Sequence, residues 1–127
     1  MSEETDDISI GNGTDLWRRI PNWPERVVYD ENLGRQRPSS SNFDDHPNGT
    51  PLSVAIADGS VTACEVLAEH PQFFLVGFTA GMARSLGLGV VRRPLPGQAW
   101  HGEVPGKKTG RVKNELARAA IWVVAPK

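Results

Sequence analysis

Gly106-Lys107-Lys108-Thr109 has the residue types that hold anions, and it stands just ahead of a helical pattern. Free backbone N–H groups and the helix dipole favour negative charge at such a start, and two lysines strengthen it. It is not a nucleoside-triphosphate loop, which needs glycine, four spacers and then Gly-Lys-Ser/Thr. Here Gly102 is only three spacers before Gly106, and a second lysine separates Lys107 from Thr109. The surrounding Arg92, Arg93, Arg111, Lys113 and Arg118 extend the charge into a basic strip, with Trp100 available to stack on a base. Lys107, Lys108, Thr109, Arg111 and Trp100 are therefore the expected anion- or partner-binding residues, and nucleic acid is one ligand such a strip would take.

Acid–base chemistry has fewer candidates. His46, His70 and His101 are widely spaced, without a His-x-x-x-His pair or a metal-type cluster, so no metal site is expected. His101, between Trp100 and Gly102 and close to the lysines, is the preferred catalytic histidine. His46 follows Asp44-Asp45 in a polar stretch, and His70-Pro71 reads as a helix terminator. Cys64, the only cysteine, permits no internal disulfide and is expected to be buried and unreactive.

The elements that must carry these residues follow from periodicity and turn chemistry. Residues 1–14, with Glu3, Glu4, Asp6, Asp7 and Gly11-Asn12-Gly13, read as an acidic flexible tail before a single domain over 15–127. Leu16–Ile20 and Arg26–Tyr29 are short extended segments, and 30–51 reads as one long loop. Leu52–Ala57 is a strand ended by Asp58-Gly59, and Thr62-Ala63-Cys64-Glu65 has capping-box spacing for a short helix. Phe73–Phe78 suits a buried central strand; Thr79–Leu86 offers one or two helical turns closed by Gly87. Leu88–Arg92 is extended and Pro94–Gly97 is a turn. Thr109 caps the clearest helix, where Val112, Leu116, Ala119 and Ala120 recur at helical spacing, and Trp122-Val123-Val124 leaves it as a strand.

These elements predict an α+β fold: a small mixed sheet with two or three short helices, the clearest near the C-terminus. The expected core is Leu52, Val54, Ile56, Phe73, Phe74, Leu75, Val76, Phe78, Val90, Leu116, Ala120, Trp122 and Val123.

One stretch carries a family resemblance. Leu16-Trp17-Arg18-Arg19-Ile20 is followed by Arg37, Phe43, Gly49-Thr50-Pro51, the strand to Ala57, and then Ala63 two residues before Glu65. That order resembles RES-type and ADP-ribosyltransferase-like domains, which consume NAD. The resemblance implies that Arg18 or Arg19 grips the pyrophosphate and that Glu65 stabilises positive charge developing at the ribose. It makes Arg19 and Glu65 catalytic candidates beside His101. Ser53 stands where the RES pattern favours tyrosine, and 90–127 have no counterpart in it.

Composition sets the outer bounds. The 127 residues are 39% hydrophobic and 23% charged, enough to form a core and too apolar for a disordered chain. The formal charge of −1 hides an asymmetry: residues 1–80 carry 5 basic and 13 acidic side chains, residues 81–127 carry 9 and 2. No apolar run is long enough to span a membrane, and the polar, acidic start is unlike a secretory signal, so a cytoplasmic protein is expected. The absence of a strong catalytic motif and the opposed charges favour a binding or accessory module of a bacterial or phage multi-component system. Its partner would be another protein or a second copy of itself. NAD consumption and nucleic-acid binding are the competing expectations.

Overall fold

The computed structural model describes residues 5–126; Glu3 and Glu4 of the acidic segment lie outside the described residues, as does Lys127. The chain is α+β. Six strands form the main sheet: β1 (Asp15–Ile20), β4 (Leu52–Ala57), β5 (Phe74–Thr79), β6 (Val91–Arg92), β7 (His101–Val104) and β8 (Ile121–Val124). Their order is β6-β7-β4-β1-β5-β8, and every pairing is antiparallel. A separate hairpin joins β2 (Val27–Asp30) to β3 (Arg35–Pro38). The helices are α1 (Ala63–Val66), α2 (Ala80–Ser85) and α3 (Gly110–Ala119). No helix among the described residues is long and apolar enough to cross a membrane.

Period-2 alternation builds the sheet's larger core. Leu52, Val54 and Ile56 of β4 join Leu16 and Ile20 of β1 on one face, where Val112 and Leu116 of α3 cover them. On the opposite face Ala55 and Leu75 pack with Val61, Val66 and Leu67 around α1. Being covered on both faces, β5 reads as an unbroken apolar run. The helix starts are fixed by side chains: Thr109 Oγ1 accepts from Val112 N at 3.2 Å, and Thr62 and Glu65 complete the capping box.

Several expectations are corrected. Residues 5–14 are not a solvated tail: Ile10 is 1% exposed, and Asp7 N donates to Val90 O at 2.7 Å. Arg84 holds the segment with bonds to Asp6 Oδ1, Asn12 Oδ1 and Asp7 O, and Gly89 leaves room for the Thr5 carbonyl. The stretch 30–51 is not one loop. Asp30 Oδ1 accepts from Asn32 N and Leu33 N, Gly34 takes φ 68°, and the chain returns as β3 before a 3₁₀ turn at Ser40–Phe43.

Strand β7 carries no strand-like pattern. Its Gly102 packs so tightly on β4 that an added Cβ would lie 2.6 Å from Ile56 Cδ1. Cys64 is exposed, because α1 is too short to bury more than Val66. Val123 is exposed as well, since β8 is an edge strand; Phe73, Phe74 and Trp122 sit at the core's rim.

Candidate oxyanion-binding site

The sheet opens between its two central strands. β1 pairs with β5 along its whole length, from Asp15 opposite Thr79 to Ile20 opposite Phe74. Its pairing with β4 stops at Trp17 opposite Ala55. Beyond that point Arg18 bridges the gap: its Nη1 donates to Ser53 O at 2.9 Å and its Nε to Asn42 O at 3.0 Å.

A cavity of about 190 Å³ lies at this opening, walled by Arg18, Arg19, Arg26, Asn42, His70 and Phe73. Arg26 arrives from the 3₁₀ turn Pro24–Arg26, with its guanidinium 5.4 Å from the centre of the Trp23 ring and its Nη1 donating to Ser41 O at 3.2 Å. Asn42 is locked by bonds from its Nδ2 to Arg26 O and Ser39 O. The His70 ring stacks on Phe73, centroids 4.5 Å apart and planes 16° apart.

The electrostatics are one-sided. Among the described residues, ion pairs occupy Arg37, Arg84, Arg92, Arg93, Lys108 and Lys113; Arg18, Arg19 and Arg26 have none, as is also true of Arg35, Lys107, Arg111 and Arg118. Burial, with Arg19 and Arg26 adding their repulsion, pushes the Arg18 guanidinium down to about 10, which still leaves it charged at neutral pH. Arg26 Nε is buried without a hydrogen-bond partner, as is Asn42 Oδ1. Guanidinium groups grip the oxygens of a phosphate, and an anion bound where three arginines line one cavity would offset the repulsion between them.

The residues singled out in the sequence are scattered. Arg19 lines the cavity. Glu65 does not: its Oε1 accepts from Thr62 N and Thr62 Oγ1, closing the helix cap. His101 is 8% exposed in β7, with Nδ1 against Arg93 O at 2.8 Å. Trp100 packs against the α1 cluster, so its ring is part of the core's second layer. His46 is exposed, its Nε2 3.1 Å from Ser53 Oγ.

The basic strip is largely neutralised within the chain. Only 3% of the Lys108 side chain is exposed; its Nζ donates to Asp45 Oδ1, Val104 O and Gly106 O at 2.7–2.9 Å. Lys113 Nζ meets Asp44 Oδ1 at 2.8 Å, and Thr109 is committed to capping. Lys107 and Arg111 are exposed. Among the described residues no group of three or more His, Cys, Asp or Glu side chains could hold a metal ion.

The sequence marks neither Arg26 nor Asn42 as a site residue, reads His70 as a helix terminator and places Phe73 in the core. The one available signal was the Arg18-Arg19 doublet with Arg26 close behind, a local excess of arginine in the acidic part of the chain. No family model matches the chain, and no curated protein or solved structure is detectably similar to it.

Proposed function

We propose that the protein is a small binding module whose ligand carries a phosphate, held by Arg18, Arg19 and Arg26. The observation that carries this reading is three arginines lining one cavity with, among the described residues, no carboxylate paired to any of them. Isothermal titration with sodium phosphate tests it. Binding should weaken at least tenfold in Arg19→Ala/Arg26→Ala, with unchanged circular dichroism. Phosphate affinity identical in the double variant, or no phosphate binding by the native protein, overturns it.

A second reading, NAD consumption, is favoured by Arg18 and Arg19 lining the same cavity, since these are the residues that the resemblance to RES-type domains sets on the pyrophosphate. NAD would then be the substrate, and nicotinamide release should disappear in Arg19→Ala; Glu65, which closes the α1 cap and does not line the cavity, would not act there. No nicotinamide release by the folded protein removes this reading.

Association with a protein partner or a second copy has a support of its own on β8. Ile121 is 70% exposed there, beside a largely apolar groove of about 330 Å³ that includes Trp17, Phe78 and Met82. A lone monomer in gel filtration at high concentration excludes the second copy. Four of the seven basic residues of the strip, Arg92, Arg93, Lys108 and Lys113, are paired with Asp58, Glu103, Asp45 and Asp44, and nucleic-acid binding is not proposed.

A further inference from the structure

His46 and Ser53 form a pair that the arginine cavity does not use: Nε2 of the ring lies 3.1 Å from the serine Oγ. His46 is exposed and Ser53 half-buried, so a substrate can reach both.

The fold holds the ring there by fixing the turn that carries it. Asp45 Oδ1 accepts from Leu52 N at 2.9 Å and from Lys108 Nζ, which ties the start of the turn to β4. His46 N donates to Thr50 O and Gly49 N to His46 O, with Gly49 at φ 90°. Ser53 stands on β4, where β7 pairs with it at Glu103. In the tautomer protonated at Nδ1, the serine hydroxyl donates to Nε2, the arrangement by which a neutral imidazole activates a serine for attack.

The pair adjoins the arginine cavity. Arg18, part of the cavity wall, donates to Ser53 O at 2.9 Å. β1 and β4 pair as far as Trp17 opposite Ala55, and the same register carried two residues further sets Arg19 level with Ser53. Residues two apart on a strand share a face, so Ser53 and Arg19 lie on the face of Ala55 and Trp17. Ser53 itself is not in the wall of the cavity. A serine so placed meets an atom just outside a bound phosphate, rather than the phosphorus within.

We infer that Ser53 is a nucleophile activated by His46, and that its substrate is an acyl phosphate. The inference rests on the phosphate-binding reading and adds a reaction to it. Ser53 Oγ bonds to the acyl carbon while its proton passes to His46 Nε2. The bond from that carbon to the phosphate oxygen breaks, its electron pair leaving with the phosphate. Nε2 gives the proton to that oxygen, and hydrogen phosphate remains among Arg18, Arg19 and Arg26. Water then loses a proton to Nε2 and bonds to the acyl carbon. The carbon–Oγ bond breaks, Oγ takes the proton back from Nε2, and a carboxylic acid is released.

Acetyl phosphate is the probe. The full chain should consume it faster than buffer alone, with acetyl on Ser53 in acid-quenched peptides by mass spectrometry. Ser53→Ala should abolish both, and His46→Gln should slow consumption about a hundredfold, the low end for a general base. Neither side chain belongs to the cavity wall, so both variants should bind sodium phosphate with native affinity. Arg19→Ala/Arg26→Ala should slow consumption by about tenfold, and added phosphate should inhibit by filling the cavity. Consumption at the buffer rate, or at the native rate in Ser53→Ala, refutes the nucleophile; arginine-dependent phosphate binding in the same samples leaves the phosphate site standing. Acetylation of Ser53 that is equally fast in saturating phosphate refutes the acyl-phosphate assignment. If phosphate does not bind the native protein, the underlying reading fails and that assignment with it.

Discussion

Arg18 Nη1 donates to the main-chain oxygen of Ser53 at 2.9 Å, just past the last paired residues of β1 and β4. A side chain takes the place of the ladder bonds the diverging strands no longer make. The sheet is held together across its opening, and the opening becomes a pocket whose wall is charged.

This arrangement predicts stabilisation by phosphate. A ligand at 100 times its dissociation constant adds about 2.7 kcal/mol. For a domain of this size that corresponds to an unfolding midpoint higher by roughly 5–15 °C. Thermal melts with and without phosphate should show the shift in the native protein and lose it in Arg19→Ala/Arg26→Ala. Arg18→Met should cost about 2 kcal/mol without ligand, because Ser53 O and Asn42 O lose a charged donor.

The adjacent lysines should behave oppositely. Lys108 is buried on Asp45 and two carbonyls, so Lys108→Ala should destabilise by about 2–3 kcal/mol in urea unfolding. Lys107 is exposed, and Lys107→Ala should stay within about 0.5 kcal/mol of the native protein. Equal effects would mean that Lys108 is not the chain's internal clamp.

Glu65 separates capping from catalysis. Glutamine also fits the N3 position of a capping box, so Glu65→Gln should leave stability within about 0.5 kcal/mol. Thr62→Ala removes the cap itself and should cost about 1 kcal/mol. Chemical denaturation reads both, and a large loss in Glu65→Gln would show that the carboxylate's charge matters beyond the cap.

The β2–β3 hairpin should loosen in acid. A hydrogen bond from Arg37 holds the Asp30 carboxyl below its usual range, helped by the main-chain N–H groups of Leu33 and Asn32. A carboxyl with a depressed folded-state pKa contributes stability above its unfolded value, near pH 3.8, and loses it as pH falls through the folded value. Amide exchange in β2 and β3 should therefore accelerate below about pH 4. Asp30→Asn should make exchange faster at neutral pH and flatten this response.

Much of the framework was legible because it depends on neighbours along the chain. The alternation of Leu52, Val54 and Ile56 requires a strand with one apolar face, and Val112 and Leu116 at helical spacing require α3 to bury that side. Thr62 and Thr109 mark helix starts, since capping is settled within four residues. β7 was illegible: His101-Gly102-Glu103-Val104 has no alternation, and only the contact of Gly102 with Ile56 gives the strand a reason. The hairpin at 27–38 was half legible, since β3 is built from polar residues whose pairing depends on the Asp30 turn.

The charge pattern was visible as an asymmetry, but its meaning was not. Sequence by itself determined how many charges each part of the chain carries and which helix starts and strand faces it forms. Tertiary structure decided which charges cancel. Lys108 finds Asp45 63 positions away and Lys113 finds Asp44 69 away, while among the described residues Arg18, Arg19 and Arg26 form no ion pair. The reason is physical: the energy of a charge is set by its distance to other charges and by the water it has lost, and both are products of the fold.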